Sequence, residues 1–231
     1  MIKSGIDQDA LVKMFSEATA KQAESLGNAV REATLKALQE RELTVENIRK
    51  VLKTVTQAAS TGTAQNPAGS IDVEELLGKA FTGMDAALLQ TVEAQRKALA
   101  QFVNQGVNVQ DKHMKSALAN LEQMENVFFT TVSRATRETG DSLRAPWQHV
   151  LDAMKLKGTD TGAQASVSVE QLLAQAQAAL RDGRTNSVHA ARAMMDSYAA
   201  LLSGVLIGMS DGLQTEAAPD SGRSRKTQPQ A

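Results

Sequence analysis

The sequence contains no cysteine among its 231 residues. This absence excludes disulfide bonds, thiolate metal sites and a cysteine nucleophile. It is compatible with a reducing cytoplasm, and the N-terminal stretch "MIKSGIDQDALVKMF" lacks the apolar segment and cleavage signal of a secretion peptide. We therefore expect a cytoplasmic protein.

Aromatic residues and proline are also scarce. Phe, Trp and Tyr make up 3% of the chain, and two of its four prolines lie in the last 13 residues. With 42% hydrophobic residues overall, a core must be built from Ala, Leu, Val and Met, which suit closely packed helices better than strands. The composition thus predicts an all-α protein of one large or two small domains.

The chain has no excess of charge of either sign. Lys and Arg number 25 against 26 Asp and Glu, which gives a formal net charge of −1. Proteins that bind DNA or RNA usually carry a basic face or domain, and the densest basic run here is the short "RSRK" at 223–226. We therefore expect no nucleic-acid partner.

Apolar residues recur at intervals of three and four along most of the chain, as expected for amphipathic helices. Opposite charges at i and i+4 and the positions of the breaks help to place these helices. A bundle and an elongated array are both compatible with the pattern. The predicted helical segments are residues 9–42, 45–59, 73–104, 114–132 (close to heptad spacing, as in a coiled coil), a short helix from Pro146, and 169 to about 212.

Two stretches rich in Gly, Ser, Thr and Pro separate these segments and predict linkers. They are "STGTAQNPAGS" and "GTDTGAQAS". The polar chain after Thr215 predicts a disordered tail. The resulting division is an N-terminal helical hairpin (1–60), a linker (61–71), a central hairpin plus short helix (72–157), a linker (158–167), a C-terminal helical region (168–213) and the tail (214–231).

A short similarity recurs at three predicted helix starts. The stretches "TVENI" (44–48), "DVEEL" (72–76) and "SVEQL" (168–172) share a capping residue, Val, Glu, a polar residue and an aliphatic residue. Thr44, Asp72 and Ser168 are therefore predicted N-caps. A duplicated helical unit and convergent capping both explain the similarity, and five residues do not decide between them.

Residue types that carry catalysis are few and isolated. His113, His149 and His189 have no second His at helical spacing, and His149, beside Trp147, is expected in the core or at an interface. The sequence has no G-x-S-x-G elbow, no EF-hand and no Glu-x-x-His pair, and "GTDTGAQAS" lacks the Lys of a phosphate-binding loop. We expect no enzymatic activity, no cofactor and no metal site.

The densest apolar run is "SYAALLSGVLIGMSDGL", residues 197–213. One alanine and three glycines recur in it every four residues, which on a helix makes a strip for close contact with another helix. Its uncharged part is shorter than the about 20 residues that span a bilayer, and acidic residues flank it, so we expect no transmembrane span. The predicted site comprises the helix-packing strip Ala200, Gly204, Gly208 and Gly212, and the apolar contact surface Leu201, Leu202, Val205, Leu206, Ile207 and Met209.

The stretch "VREATLKALQERELTVENIRKVLKTVTQAASTG", with "GTDTGAQAS" and the C-terminal helix, resembles a family of uncharacterised bacterial all-helical proteins. This resemblance covers most of the chain and implies no activity. Segments such as "LLAQAQAAL" and "VEAQRKALAQF" are also similar to phasins, amphipathic helical proteins that coat bacterial polyester (polyhydroxyalkanoate) storage granules. The second resemblance implies a cytoplasmic, oligomer-forming protein without catalytic residues, whose function is spread over helix faces.

Two functions therefore remain open from the sequence. One is a non-catalytic phasin-like protein that associates with a hydrophobic granule or lipid surface. The other is a cytoplasmic helical scaffold or adaptor that self-associates through its C-terminal helix or binds another protein. Both predict a homo-oligomer.

Overall fold

The computed structural model of the protein describes residues 6–19, 23–41, 43–67 and 72–181. Within these ranges the chain forms eight α-helices and no strand, so the all-α prediction is confirmed. In chain order the helices are α1 (Gln8–Ser16), α2 (Ala23–Gln39), α3 (Val45–Gln65), α4 (Val73–Asn104), α5 (Lys112–Glu122), α6 (Met124–Arg137), α7 (Asp141–Lys157) and α8 (Asp160–Arg181).

All eight helices contribute to one hydrophobic core. Helix α4 packs against α2, α3, α5, α7 and α8, while α1 packs on α3. Because each helix buries its apolar face against several others, the described helices form a bundle rather than an elongated array. The largest fully buried side chains of this core are Trp147, Phe15, Phe81, Phe102 and Phe128.

Helix α4 has the bounds that the sequence predicts, residues 73–104. Its N-cap Asp72 accepts a hydrogen bond from the backbone N–H of Glu74 at 2.9 Å. At the start of α3, Thr44 Oγ1 accepts from the backbone N–H of Asn47 at 3.2 Å. These bonds satisfy N–H groups that have no partner inside a helix, and both N-cap predictions are confirmed.

The predicted single helix over residues 9–42 is wrong. The chain forms α1 and α2 instead, and it leaves the first helix after Ser16. The side-chain amide of Asn66, which follows α3, donates to the carbonyl oxygens of Phe15 at 2.9 Å and Ala18 at 3.1 Å. Because the last carbonyl groups of a helix need such external partners, a residue distant in sequence stabilises the end of α1.

Helix α3 continues beyond its predicted end at residue 59 and reaches Gln65. The first five residues of the predicted linker 61–71 are therefore helical. Ser60 and Gly62 are buried in this last part of α3. Trp147 Nε1 donates to Ser60 Oγ at 2.9 Å, and α1 lies so close to Gly62 that a Cβ there would collide with the carbonyl oxygen of Val12. The small residues allow close packing and do not mark a linker.

The fourth predicted helix consists of two, α5 and α6, which meet at Gln123. Gln123 keeps near-helical dihedral angles (φ −85°, ψ −4°), so the predicted apolar stripe stays buried on both sides of the junction. In α6, Phe128 is buried and Phe129 is half-buried, and both rings contact Phe81 of α4, with centroids 4.5 and 5.5 Å apart. The two rings of α6 thus lie at the core and at its edge.

The last two described helices begin earlier than the sequence predicts. Helix α7 begins at Asp141 and includes Pro146. Gly158, with a φ of +79° that favours glycine, follows it. Helix α8 begins at Asp160, so the linker predicted over 158–167 is helical from that residue onward. Ser168 is buried inside α8 and is not its N-cap, so the third capping prediction is wrong. The tail lies outside the described residues, and the division into domains stays a prediction.

Candidate functional site

The site residues predicted from the sequence all follow residue 181 and lie outside the described part of the chain. Helix α8 is the described element that leads to them. The residues concerned are Ala200, Leu201, Leu202, Gly204, Val205, Leu206, Ile207, Gly208, Met209 and Gly212.

Asp85 of α4 holds the first turn of α8. Its Oδ2 accepts a hydrogen bond from the backbone N–H of Asp160 at 3.0 Å, and its Oδ1 accepts from that of Thr161 at 3.2 Å. The Thr161 hydroxyl donates back to the carbonyl oxygen of Asp85 at 2.9 Å. The first N–H groups of a helix lack intrahelical partners and carry positive partial charge. One buried carboxylate therefore caps α8 from another helix.

Glu125 of α6 adds a second carboxylate at the same helix start. Its Oε1 accepts from the backbone N–H of Thr159 at 3.2 Å and from the Thr159 hydroxyl at 2.7 Å. Thr159 Oγ1 in turn accepts from the backbone N–H of Gly162 at 3.0 Å. A Cβ on Gly162 would collide with the Glu125 carboxylate, so this glycine leaves the space that the carboxylate fills.

Sequence reasoning missed this cluster because its members are distant in the chain. Asp85 lies 75 residues before Asp160, and Glu125 lies 34 residues before Thr159. The one local signal is Asp85 itself, a lone carboxylate within the apolar face of α4. The stretch "GTDTGAQAS" is the start of a helix that accepts two carboxylates from its own fold.

Burial raises the pKa of the Asp85 carboxyl above its ordinary value, although its hydrogen bonds to Thr161 and Asp160 act in the opposite direction. The folded chain therefore binds the Asp85 proton more tightly than the unfolded chain does. Because the slope of the unfolding free energy with pH follows the difference in bound protons, this group lowers stability as pH rises from its ordinary pKa, about 3.9, through its raised pKa.

We expect the Asp85→Asn variant to lose this contribution to the pH dependence. The free energy of unfolding of the natural chain minus that of the variant should decrease as pH rises from about 4 to 7, since asparagine does not titrate. Urea unfolding at several pH values, followed by circular dichroism, measures the difference. A difference that stays constant or increases with pH would contradict the assignment.

A second contact defines the direction of α8. Gln175 Nε2 donates to Asn104 Oδ1, at the end of α4, at 2.7 Å. Since Asp85 contacts the start of α8 and Asn104 contacts a later turn, α4 and α8 run parallel. Helix α8 therefore ends on the side of the bundle where α4 terminates.

The described histidines do not lie in the core. His113 is exposed at the start of α5. His149 is also exposed, and its Nδ1 lies 2.7 Å from Glu74 Oε1. The core alternative of its prediction is therefore wrong, and a position at an interface stays a prediction. Within the described ranges, no group of three or more His, Cys, Asp or Glu residues is placed to hold a metal ion.

The exposed apolar surface of the described residues is limited. Four large hydrophobic side chains are exposed there, and Leu156 is the most open at 91%. No helix in this part of the chain is long and apolar enough to cross a membrane. The other three exposed side chains are Met14, Val167 and Leu173, of which the last two lie on α8.

A family model described as a family of unknown function (DUF6781) matches residues 1–215. The chain belongs to this family. The match confirms the predicted membership of an uncharacterised helical family, and it covers both the DUF6781 bundle and the apolar run at 197–213. No curated protein matches the chain, and no solved structure matches it.

Proposed function

We propose that this chain is a non-catalytic cytoplasmic scaffold or adaptor that self-associates through residues 197–213. The observation that best supports this proposal is that the apolar faces of the described helices pack on one another in a single core. A protein that coats a hydrophobic surface needs such faces free. The apolar run that follows α8 is then the strongest candidate for a contact with a second copy.

The attachment of α8 to the bundle also favours a structural role for the C-terminal segment. Asp85 and Glu125 hold its first turn, and Gln175 ties a later turn to the end of α4. Helix α8 is therefore held to the bundle both at its start and at a later turn. Such an arrangement suits association between copies of defined geometry.

The proposal includes no catalytic role. The sequence holds none of the catalytic motifs considered above. The carboxylates that the fold brings together at the start of α8 bind backbone N–H groups of that helix. Capping therefore accounts for this cluster without a reaction.

We expect the double variant Gly204→Leu and Gly208→Leu to be monomeric where the natural chain is oligomeric. Leucine side chains on the small-residue strip would hold two backbones apart, and close approach is what such strips permit. Light scattering after gel filtration measures the mass. Ser203→Leu, which adds the same side chain one position outside the strip, is the matched control and should leave the oligomer intact. Equal masses for the double variant and the natural chain would contradict the proposal.

Association with a polyester granule or lipid surface is the second candidate. It is favoured by the apolar run itself and by Leu156, which is 91% exposed at the end of α7. In this case, changing Leu202, Leu206 and Ile207 to serine should release a fluorescent fusion from granules that float on a density gradient. A natural chain that stays in the soluble fraction of granule-forming cells would exclude this candidate.

A further inference from the structure

Two adjoining surface grooves bring together basic residues from three helices. The first, between α3 and α6, has a volume of about 430 Å³. The second, between α6 and α7, has a volume of about 350 Å³. Thr130 and Arg134 line both grooves, so Arg134 lies at their junction. The cations that line them are Arg49, Lys50, Lys53, Arg134, Arg137 and Lys155.

Among the residues that the structure describes, neighbouring carboxylates neutralise two of these cations. Lys50 Nζ lies 2.7 Å from Glu46 Oε1, and Lys53 Nζ lies 2.7 Å from Glu138 Oε2. The hydrogen bond from Lys50 and the charge of its ammonium lower the pKa of the Glu46 carboxyl. The other four cations form no ion pair within the described ranges: Arg49, Arg134, Arg137 and Lys155.

This concentration of positive charge is local, because the whole chain has a formal net charge of −1. Glu46 also lines the first groove, where four cations outnumber it. Concave surfaces with an excess of charge of one sign focus the electrostatic field and attract ligands of opposite sign. The sequence contains no corresponding basic run, since the cations come from separate stretches of α3, α6 and α7. The tertiary fold alone brings them together.

The donors in the grooves match phosphoryl oxygens. Guanidinium groups bind phosphate through two parallel hydrogen bonds, and lysine adds a compact positive charge. The hydroxyl groups of Thr131 and Ser133 line the first and the second groove, respectively. Each groove has the size of a small-molecule site. The four cations that have no carboxylate partner among the described residues carry more positive charge than a ligand with a single carboxylate would neutralise.

We propose that the two grooves together bind a small soluble anion with at least two phosphoryl groups. Arg134 lies between the two groups, with Arg49 on one side and Arg137 and Lys155 on the other. This site is independent of the self-association proposed for residues 197–213. Its ligand is recognised by charge and hydrogen bonding, whereas that contact is apolar.

Inorganic pyrophosphate is the probe for this site. Isothermal titration calorimetry of the full chain at low ionic strength should show binding, and Arg134→Ala should weaken it by about tenfold or more, because this residue contacts both phosphoryl groups. Arg134 is exposed, so the variant should keep the circular dichroism and unfolding midpoint of the natural chain. Lys13→Ala is the matched control, since it removes one positive charge from α1 outside both grooves, and should bind as the natural chain does.

Two further experiments test whether the ligand spans both grooves and whether it is a soluble anion or a lipid headgroup. Arg49→Ala and Arg137→Ala lie in different grooves, and each should weaken pyrophosphate binding if the ligand spans both. Flotation with phosphatidylcholine vesicles that contain phosphatidylglycerol tests a lipid headgroup. Binding to vesicles without binding to pyrophosphate would overturn the proposal. Equal affinities for the Arg134→Ala and Lys13→Ala variants, or no pyrophosphate binding at all, would also overturn it.

Discussion

Replacing Trp147 with alanine should destabilise the bundle by about 4 kcal/mol, which is within the usual range for removal of a buried aromatic side chain. Trp147 is fully buried in α7 and is the largest side chain of the core. Its Nε1 donates to Ser60 Oγ at 2.9 Å, and Ser60 Oγ donates to the carbonyl oxygen of Thr56 at 2.7 Å. The substitution removes both a large packed surface and the link between α7 and the last part of α3.

Urea unfolding followed by far-UV circular dichroism measures this loss. Two partial variants separate its causes. Trp147→Phe keeps a six-membered aromatic ring and removes the rest of the indole together with its N–H donor, so it should cost less than the alanine variant. Ser60→Ala keeps the ring but leaves its buried N–H without an acceptor, which should cost about 1 to 3 kcal/mol. A loss below about 1 kcal/mol for Trp147→Ala would contradict the described packing.

The Gly62→Ala substitution should lower the free energy of unfolding by about 3 kcal/mol, which is at the upper end of the usual cost of overpacking a core. The added Cβ would collide with the carbonyl oxygen of Val12 and lie 2.5 Å from Cβ of Phe15. The first of these is a backbone atom of α1, so the collision is relieved only if the whole helix shifts. Phe15 is fully buried, and such a shift would expose part of its ring.

Gly78→Ala is the matched control for this prediction. It makes the same substitution inside α4, where an added Cβ meets nothing within 4 Å. Because alanine is more favourable than glycine in the interior of a helix, the free energy of unfolding of this variant should rise by about 0.5 to 1 kcal/mol. Both variants are measured by urea unfolding. A loss of stability in Gly62→Ala together with a gain in Gly78→Ala would support close contact of α1 with α3. A gain of stability in both variants would contradict it.

The periodicity of apolar residues predicted the helices of this protein well where nearby residues in the sequence determine the helix ends. Helix α4 has its predicted bounds, with Asp72 as its N-cap. The spacing of apolar residues also identified α3 and the continuous stripe of α5 and α6. These features are local, because a helical period and a capping side chain act within a few residues of each other.

The errors occur where residues of different helices meet. Small-residue stretches after Ala59 and from Gly158 onward indicated linkers, yet residues 60–65 extend α3 and α8 begins already at Asp160. Trp147, Asp85 and Glu125 supply partners there. Small side chains give the same local signal whether the chain turns or another helix lies close. The basic grooves had no sequence signal, since their cations come from three helices.

Local patterning in this chain specifies the all-α class, the approximate helices and the apolar run at 197–213, because backbone hydrogen bonding and amphipathic burial depend on residues close in sequence. Tertiary packing specifies the ends of α1 and α3, the start of α8 and the grooves around Arg134. Each of these features depends on a hydrogen bond, a close contact or a charge from a residue far along the chain. Such residues come together only when the bundle folds.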